Sequence, residues 1–180
     1  MVYVFLANGF ETVEALATVD ILMRAQIETI TVGVGSKDIV SAQLIPVKCD
    51  VRDTNIGFLD DIEAIILPGG QPGTNNLDES EIVHKFIDYA ANKGILISAI
   101  CAAPMILGKK GLLEGKKATC FPGIEKFLKG AQYTANFVEK DGNIITGKGM
   151  GVAVDFALEI VAYLRGRELA DEIKATIQSK

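Results

Sequence analysis

Ile95-Leu96-Ile97-Ser98-Ala99-Ile100-Cys101-Ala102-Ala103-Pro104 is the stretch on which the fold turns. Its apolar first half has the length and β-branched content of a buried strand. Small residues follow Cys101, and a helix is predicted to start around Ala102. Pro104 is tolerated in a helix's first turn, where its missing N–H is not needed. A tight strand-to-helix turn of small residues leaves the sulfur at the edge of the sheet. The same logic underlies the serine nucleophile elbow, whose backbone N–H groups form an oxyanion hole. Unpaired amides at such a turn favour an anion, which predicts a lowered thiol pKa; sites of this kind span ~3.5–7.5. The competing reading is an inert core cysteine, the usual fate of a buried thiol.

Outward from this stretch, strand-length apolar runs alternate with amphipathic segments of helical length. Residues 2–7 read as a strand and 12–25 as a helix, with Val13, Leu16, Ala17, Asp20, Ile21 and Arg24 at helical spacing. Residues 28–34 form a further strand, with short extended pieces at 40–47 and 49–52. Residues 64–67 are a buried strand that ends at Pro68-Gly69-Gly70, and a helix is predicted over 79–92. Residues 137–140 and 143–146 flank Asp141-Gly142 as a β-hairpin. Helices over 152–164 and 168–178 complete the chain. Strands rich in Ile, Val and Leu separated by helices imply an α/β fold with a mainly parallel sheet covered on both faces. No Pro- or Ser-rich linker interrupts the 180 residues, so a single domain over 1–180 is expected. Ligands of such sheets gather beyond the carboxyl ends of the strands. The loops 8–14, 68–73 and 100–104 all lie at predicted strand ends.

Composition narrows the function. The chain is 49% hydrophobic, yet no apolar run approaches the ~20 residues of a membrane span. Met1 leads directly into a strand, without a basic region or cleavage site, so no signal peptide and a cytoplasmic location are expected. The net charge is −5, and Lys109-Lys110 and Lys116-Lys117 are isolated basic pairs. Neither nucleic acid nor membrane is an expected partner. Cys49, Cys101 and Cys120 have no metal-ligand spacing, and their odd number argues for free thiols. No GxGxxG fingerprint or P-loop is present, so no nucleotide, flavin or metal cofactor is expected.

Two further segments invite a functional reading. Gly69-Gly70 after a buried strand exposes backbone amides and allows close approach of a ligand, although it is also an ordinary strand-ending turn. Glu11 and Glu14 lie three apart on one helical face, yet acids at a helix start commonly serve as caps or dipole partners.

Gly9-Phe10-Glu11-Thr12-Val13-Glu14, Leu67-Pro68-Gly69-Gly70, Ala99-Ile100-Cys101-Ala102-Ala103-Pro104 and Glu139-Lys140-Asp141-Gly142 occur in this order. In that order and spacing the chain resembles the DJ-1/PfpI (ThiJ) superfamily, specifically its DJ-1-like branch, over nearly its whole length. The resemblance implies a flavodoxin-like three-layer sandwich and a homodimer with the first helix near the interface. It implies that Cys101 is the reactive, easily oxidised cysteine and that Glu14 is a protonated carboxyl donating a hydrogen bond to the thiolate. Gly70 and Ala102 match positions whose backbone N–H groups line the anion pocket. Glu11, Gly69, Cys120 and Phe121 are further pocket candidates.

Two positions depart from the pattern. PfpI-type members, which resemble proteases, carry a histidine directly after the cysteine, where this chain has Ala102. The sole histidine, His84, falls on the predicted helix 79–92, away from the strand ends. Cysteine-protease and glutamine-amidotransferase-like chemistry, which need a base beside the thiol, are therefore disfavoured. Many DJ-1-like proteins also carry a histidine where Phe121 stands, and its absence removes one proton carrier. Cys120 is either a resolving thiol for Cys101 or a packed strand-end cysteine.

The expected function is attack of Cys101 on an α-oxoaldehyde or its protein adduct, a glyoxalase or deglycase type of chemistry. The alternative is a non-catalytic sensor of oxidative stress, or a chaperone, working through oxidation of Cys101. The expected partner is a small carbonyl substrate or an oxidant.

Overall fold

Successive residues of the first strand, β1 (Val2–Leu6), point into two different cores. Val2, Val4 and Leu6 pack in one apolar cluster, and Tyr3 and Phe5 in another. This is the period-two alternation of a strand buried on both faces. In the computed structural model, which describes residues 1–58 and 60–179, β1 lies inside the main sheet, with a neighbouring strand on each side.

The chain continues through α1 (Thr12–Arg24), β2 (Thr29–Gly33), β3 (Asp38–Val40), β4 (Pro46–Lys48), β5 (Val51–Arg52) and β6 (Ala64–Leu67). Then come α2 (Gly73–Asp78), α3 (Glu81–Lys93), β7 (Leu96–Ile100), α4 (Pro104–Lys109), β8 (Lys117–Ala118) and β9 (Gln132–Tyr133). The last elements are β10 (Val138–Asp141), β11 (Ile144–Gly147), α5 (Ala153–Arg165) and α6 (Arg167–Thr176). Seven strands form one sheet in the order β10-β11-β7-β6-β1-β2-β5. Every neighbouring pair is parallel except the β10–β11 hairpin. Two small two-stranded sheets, β3–β4 and β8–β9, lie outside it.

Helices α1, α5 and α6 cover one face through Ile21, Leu22, Phe156, Ile160 and Ile173. Helices α3 and α4 cover the other through Val83, Phe86, Ile87 and Ile106. The expected α/β architecture, a mainly parallel sheet with helices on both faces and a hairpin, is what the structure has. Among the described residues no helix is long and apolar enough to cross a membrane.

Several local expectations need correcting. The helix after Cys101 starts at Pro104 rather than Ala102, because residues 101–103 are spent on turns. A short helix, α2, precedes α3, and Ser80 caps α3 by accepting the Val83 N–H. In the hairpin, Asp141 is the last strand residue, and Gly142 alone takes the positive φ.

The sheet order positions the site. β7, β6 and β1 are consecutive neighbours, so the loops leaving their carboxyl ends sit side by side. β1 hands the chain to β2 on one side while β6 lies on the other, a switch of direction where α/β sheets collect ligands.

Candidate functional site

Gly9 O accepts the Gly73 N–H at 3.1 Å, and Glu11 N–H donates to Gly69 O at 2.9 Å. These bonds tie the loop after β1 to the loop after β6. The contact leaves no room for side chains: a Cβ on Gly9 would stand 2.4 Å from Pro72 Cδ, and one on Gly73 would stand 2.5 Å from Phe10 N.

Cys101, the residue directly after β7, has φ +64°, a left-handed conformation that costs a non-glycine residue about 1–2 kcal/mol. It is held there from both sides. Cys101 N–H donates to Gly147 O on β11, and Cys101 O accepts the Phe121 N–H, each at 2.8 Å. The turn aims the sulfur at Gly69-Gly70. A Cβ on Gly69 would lie 2.6 Å from Cys101 Cβ and 2.8 Å from Glu14 Oε2, so only glycine fits between the two functional side chains.

Glu14 rises from the first turn of α1 and is 1% exposed. Its Oε2 accepts the Gly69 N–H at 2.9 Å. Its Oε1 is buried with no nitrogen or oxygen partner, which leaves the Cys101 sulfur as the carboxyl's remaining neighbour. Burial pushes the Glu14 carboxyl up to about 7, against hydrogen bonds to Cys101 and Gly69 that pull it down.

The thiol answers to the same neighbour. Burial first, and then the Glu14 carboxylate, push Cys101 up to about 12, while the N–H groups of Gly70 and Ala102 pull it down. The lowered thiol pKa expected from the turn is not found: burial raises it before any charge on Glu14 is considered. A protonated Glu14 changes the sign of its own effect: the like charge vanishes, and an O–H on the orphaned Oε1 donates to the sulfur. The two side chains are therefore coupled, the charge on one setting the cost of charge on the other.

The cavity in front of the sulfur measures about 360 Å³ and is lined by Gly70, Gln71, Cys101, Ala102, Phe121 and Pro122, among others. Gly70, Ala102 and Phe121 therefore all line this cavity. Glu11 does not line it: its carboxylate caps α1 by accepting the Glu14 N–H at 2.7 Å, the bland alternative for a helix-start acid. Gly69 lies behind the sulfur as a spacer and as the donor to Glu14. Cys120 is fully buried and packs in the core of α3 and α4, whereas Cys101 packs against the core of α1 and α5. That placement speaks for the packed cysteine over the resolving thiol. Burial pushes Cys120 up to about 12 and Cys49 up to about 11. His84 sits on α3 and donates its Nε2–H to Asp78 O at 2.6 Å, outside the cavity. Among the described residues no group of three or more His, Cys, Asp or Glu side chains could hold a metal ion.

Sequence reasoning missed Gly147, whose carbonyl anchors Cys101, and Gln71 and Pro122 in the cavity wall. The parallel pairing of β7 with β11 is the signal that could have found Gly147.

The sequence profile of the DJ-1/PfpI family matches residues 1–163. The chain belongs to the DJ-1/PfpI family. It is 37% identical over 187 residues to the Parkinson disease protein 7 homolog of Danio rerio, covering 97% of this chain and 94% of that one. The crystal structure of Drosophila melanogaster DJ-1beta superposes with a TM-score of 0.93 at 32% identity, covering 99% and 97% of the two chains. A third relative, a glutathione-independent glyoxalase of Caenorhabditis elegans, is 30% identical over 167 residues, with 91% and 87% covered. The DJ-1 likeness thus spans nearly the full chain and includes all three loops of the site.

Proposed function

We propose that this DJ-1 family protein converts α-oxoaldehydes, free or as protein adducts, into 2-hydroxy acids through Cys101. The observation that carries this reading is the Glu14 carboxyl: buried, raised to about 7, one oxygen fixed by Gly69 and the other free beside the sulfur. A group poised near neutral pH can both give and take a proton. The C. elegans relative named as a glyoxalase supports the substrate class.

The chemistry balances without a cofactor. The Cys101 thiolate adds to the aldehyde carbon, forming a C–S bond, and the carbonyl π pair moves to oxygen. Glu14 gives that alkoxide its proton, then takes the hydrogen of the same carbon as a proton and returns it to the neighbouring ketone carbon, while the hydroxyl proton passes to the former ketone oxygen. One carbon is oxidised to a thioester and the other reduced to an alcohol, so no external reductant is consumed. Water hydrolyses the thioester to the 2-hydroxy acid, and the Cys101–Glu14 pair again holds one proton. The Gly70 and Ala102 amides supply the fixed dipoles for negative charge.

Turnover of methylglyoxal, followed as formation of lactate, tests this reading. Cys101→Ser is expected to abolish the activity in a protein that still melts cooperatively. Lactate formed by that variant at the native rate would overturn the proposal.

Exposure favours a second reading, in which Cys101 senses oxidants. Cys101 is partly exposed, whereas Cys49 and Cys120 are buried. Peroxide would then add oxygen to Cys101 before the other two, with water as the reduced product.

We also infer a homodimer. Val13, Leu16 and Met23 of α1 and Val40, Leu44 and Ile45 of the β3–β4 hairpin are exposed apolar side chains. Thr12 Oγ1 donates to Gln43 Oε1 at 2.6 Å and joins the two elements. A second copy covering this face is expected to give about twice the 19.3 kDa chain mass in sedimentation equilibrium. A single-chain mass at tens of micromolar would remove the dimer.

A further inference from the structure

Phe121 stands between two cavities. On one side lies the cavity of Cys101. On the other lies a second, of about 370 Å³, bounded by Phe121, Pro122, Phe137, Lys148, Met150 and Val152, among others. Phe121 and Pro122 line both, so the two cavities adjoin at these residues. Its wall is ring faces and aliphatic carbon: Phe137 is 68% exposed, Met150 52% and Phe121 51%. Gly149 lets the Phe121 ring lie against the backbone, since a Cβ there would stand 3.3 Å from Phe121 Cδ2. Among the described residues, the one charged side chain in the wall, Lys148, is already engaged. Its ammonium donates to Ala135 O at 3.2 Å and lies 5.6 Å from the Phe137 ring centroid.

The reaction proposed above constrains where the rest of a substrate goes. The aldehyde carbon must meet the sulfur, and the ketone carbon must come within reach of Glu14. Glu14 and Gly69 close the inner side, so the substituent on the ketone carbon leaves outward past Phe121. A methyl group there reaches none of the second cavity. A phenyl ring or a longer alkyl chain has the length to reach it and would meet the rings of Phe121 and Phe137.

We propose that the second cavity is the substituent subsite and that the preferred substrates are α-oxoaldehydes bearing an aryl or extended alkyl group. The proposal rests on the α-oxoaldehyde reading and adds the direction and chemistry of the substituent. Phe121, at a position where the family resemblance points to a histidine, then serves as an apolar wall rather than a proton carrier.

The test compares kcat/KM for phenylglyoxal and methylglyoxal in the native chain and in Met150→Glu and Phe137→Ser, each checked for a native melting transition. Comparing the ratio between proteins cancels the intrinsic reactivity of each aldehyde. The phenylglyoxal-to-methylglyoxal ratio is expected to fall about tenfold or more in both variants, the scale on which apolar pockets discriminate. An unchanged ratio in folded variants overturns the subsite while leaving the α-oxoaldehyde reading intact. No turnover of either aldehyde by the native chain overturns that reading itself. An unchanged ratio with an altered sedimentation mass would assign the cavity to contact with a second copy, which also overturns the subsite.

Discussion

Two glutamates at opposite ends of β6 show how differently one side chain is treated in this molecule. Glu63 lies just before the strand, where both its oxygens meet Arg165, at 2.6 and 2.9 Å, and one also meets the Met1 amine at 2.8 Å. The Arg165 hydrogen bonds, ahead of the other causes, hold it down at about 2. Glu14 packs beside Gly69 beyond the strand's other end. It has no cation, one backbone donor and one orphaned oxygen, and burial drives it up to about 7. The amino end of the sheet satisfies its charge. The carboxyl end withholds satisfaction from a carboxyl and a thiol at once, and the strain of Cys101 is stored at that same end.

This contrast is broken most forcibly at Glu14. Its folded pKa is raised above the ordinary 4.5, so the native state binds more protons than the unfolded chain between about 4.5 and 7. Its contribution to stability is therefore fully present below about 4.5 and is lost as pH rises through about 7, by roughly 3 kcal/mol in total. Glu14→Gln, which keeps an acceptor for Gly69, is expected to remove that decline and to be the more stable protein at pH 8. Urea unfolding at pH 5 and pH 8 measures it. Parallel pH dependence in the two proteins would mean that Glu14 is not a frustrated carboxyl.

The smaller effect belongs to the satisfied end. Both Glu63 and Arg165 are about a third exposed, so solvent discounts the pair and Arg165→Ala is expected to cost about 1 kcal/mol or less at pH 7. Glu63 is depressed, so its contribution is present above pH 4.5 and fades as pH falls toward about 2. The variant and the native protein should therefore converge in urea stability near pH 2. Turnover should be unchanged, and a loss of activity in Arg165→Ala would show that the two ends are coupled.

The legible parts of this molecule were those written in contiguous residues. The Ile-rich run before Cys101, the first-turn proline and the Asp141-Gly142 hairpin carry their structure locally. The short α2 was not legible, because Thr74-Asn75-Asn76 offers no apolar period over six residues. The partnership of Glu14 with Cys101 was implied by the family likeness and not by spacing, since it depends on which strands are neighbours. The thiol's pKa was misread for a related reason: a turn's amides act locally, while the burial that opposes them comes from the loops packed around the sulfur and the like charge from Glu14 on α1. Glu11 and Glu14 look alike in sequence, yet one hydrogen bond makes the first a cap. Which core Cys120 joins is set by the face on which its segment packs, and one sequence does not encode that face in any short motif.

The backbone contact between Gly9 and Pro72-Gly73 bears on any attempt to move this site elsewhere. With 2.4 Å between a hypothetical Cβ and its neighbour, the two loops behave as a single casting. Grafting the cysteine turn alone onto another parallel sheet would transplant a strained residue without its mould. The transferable module is residues 8–14, 68–73 and 100–104 on three adjacent strands, together with Gly147 of β11 and Phe121, whose backbone groups hold Cys101.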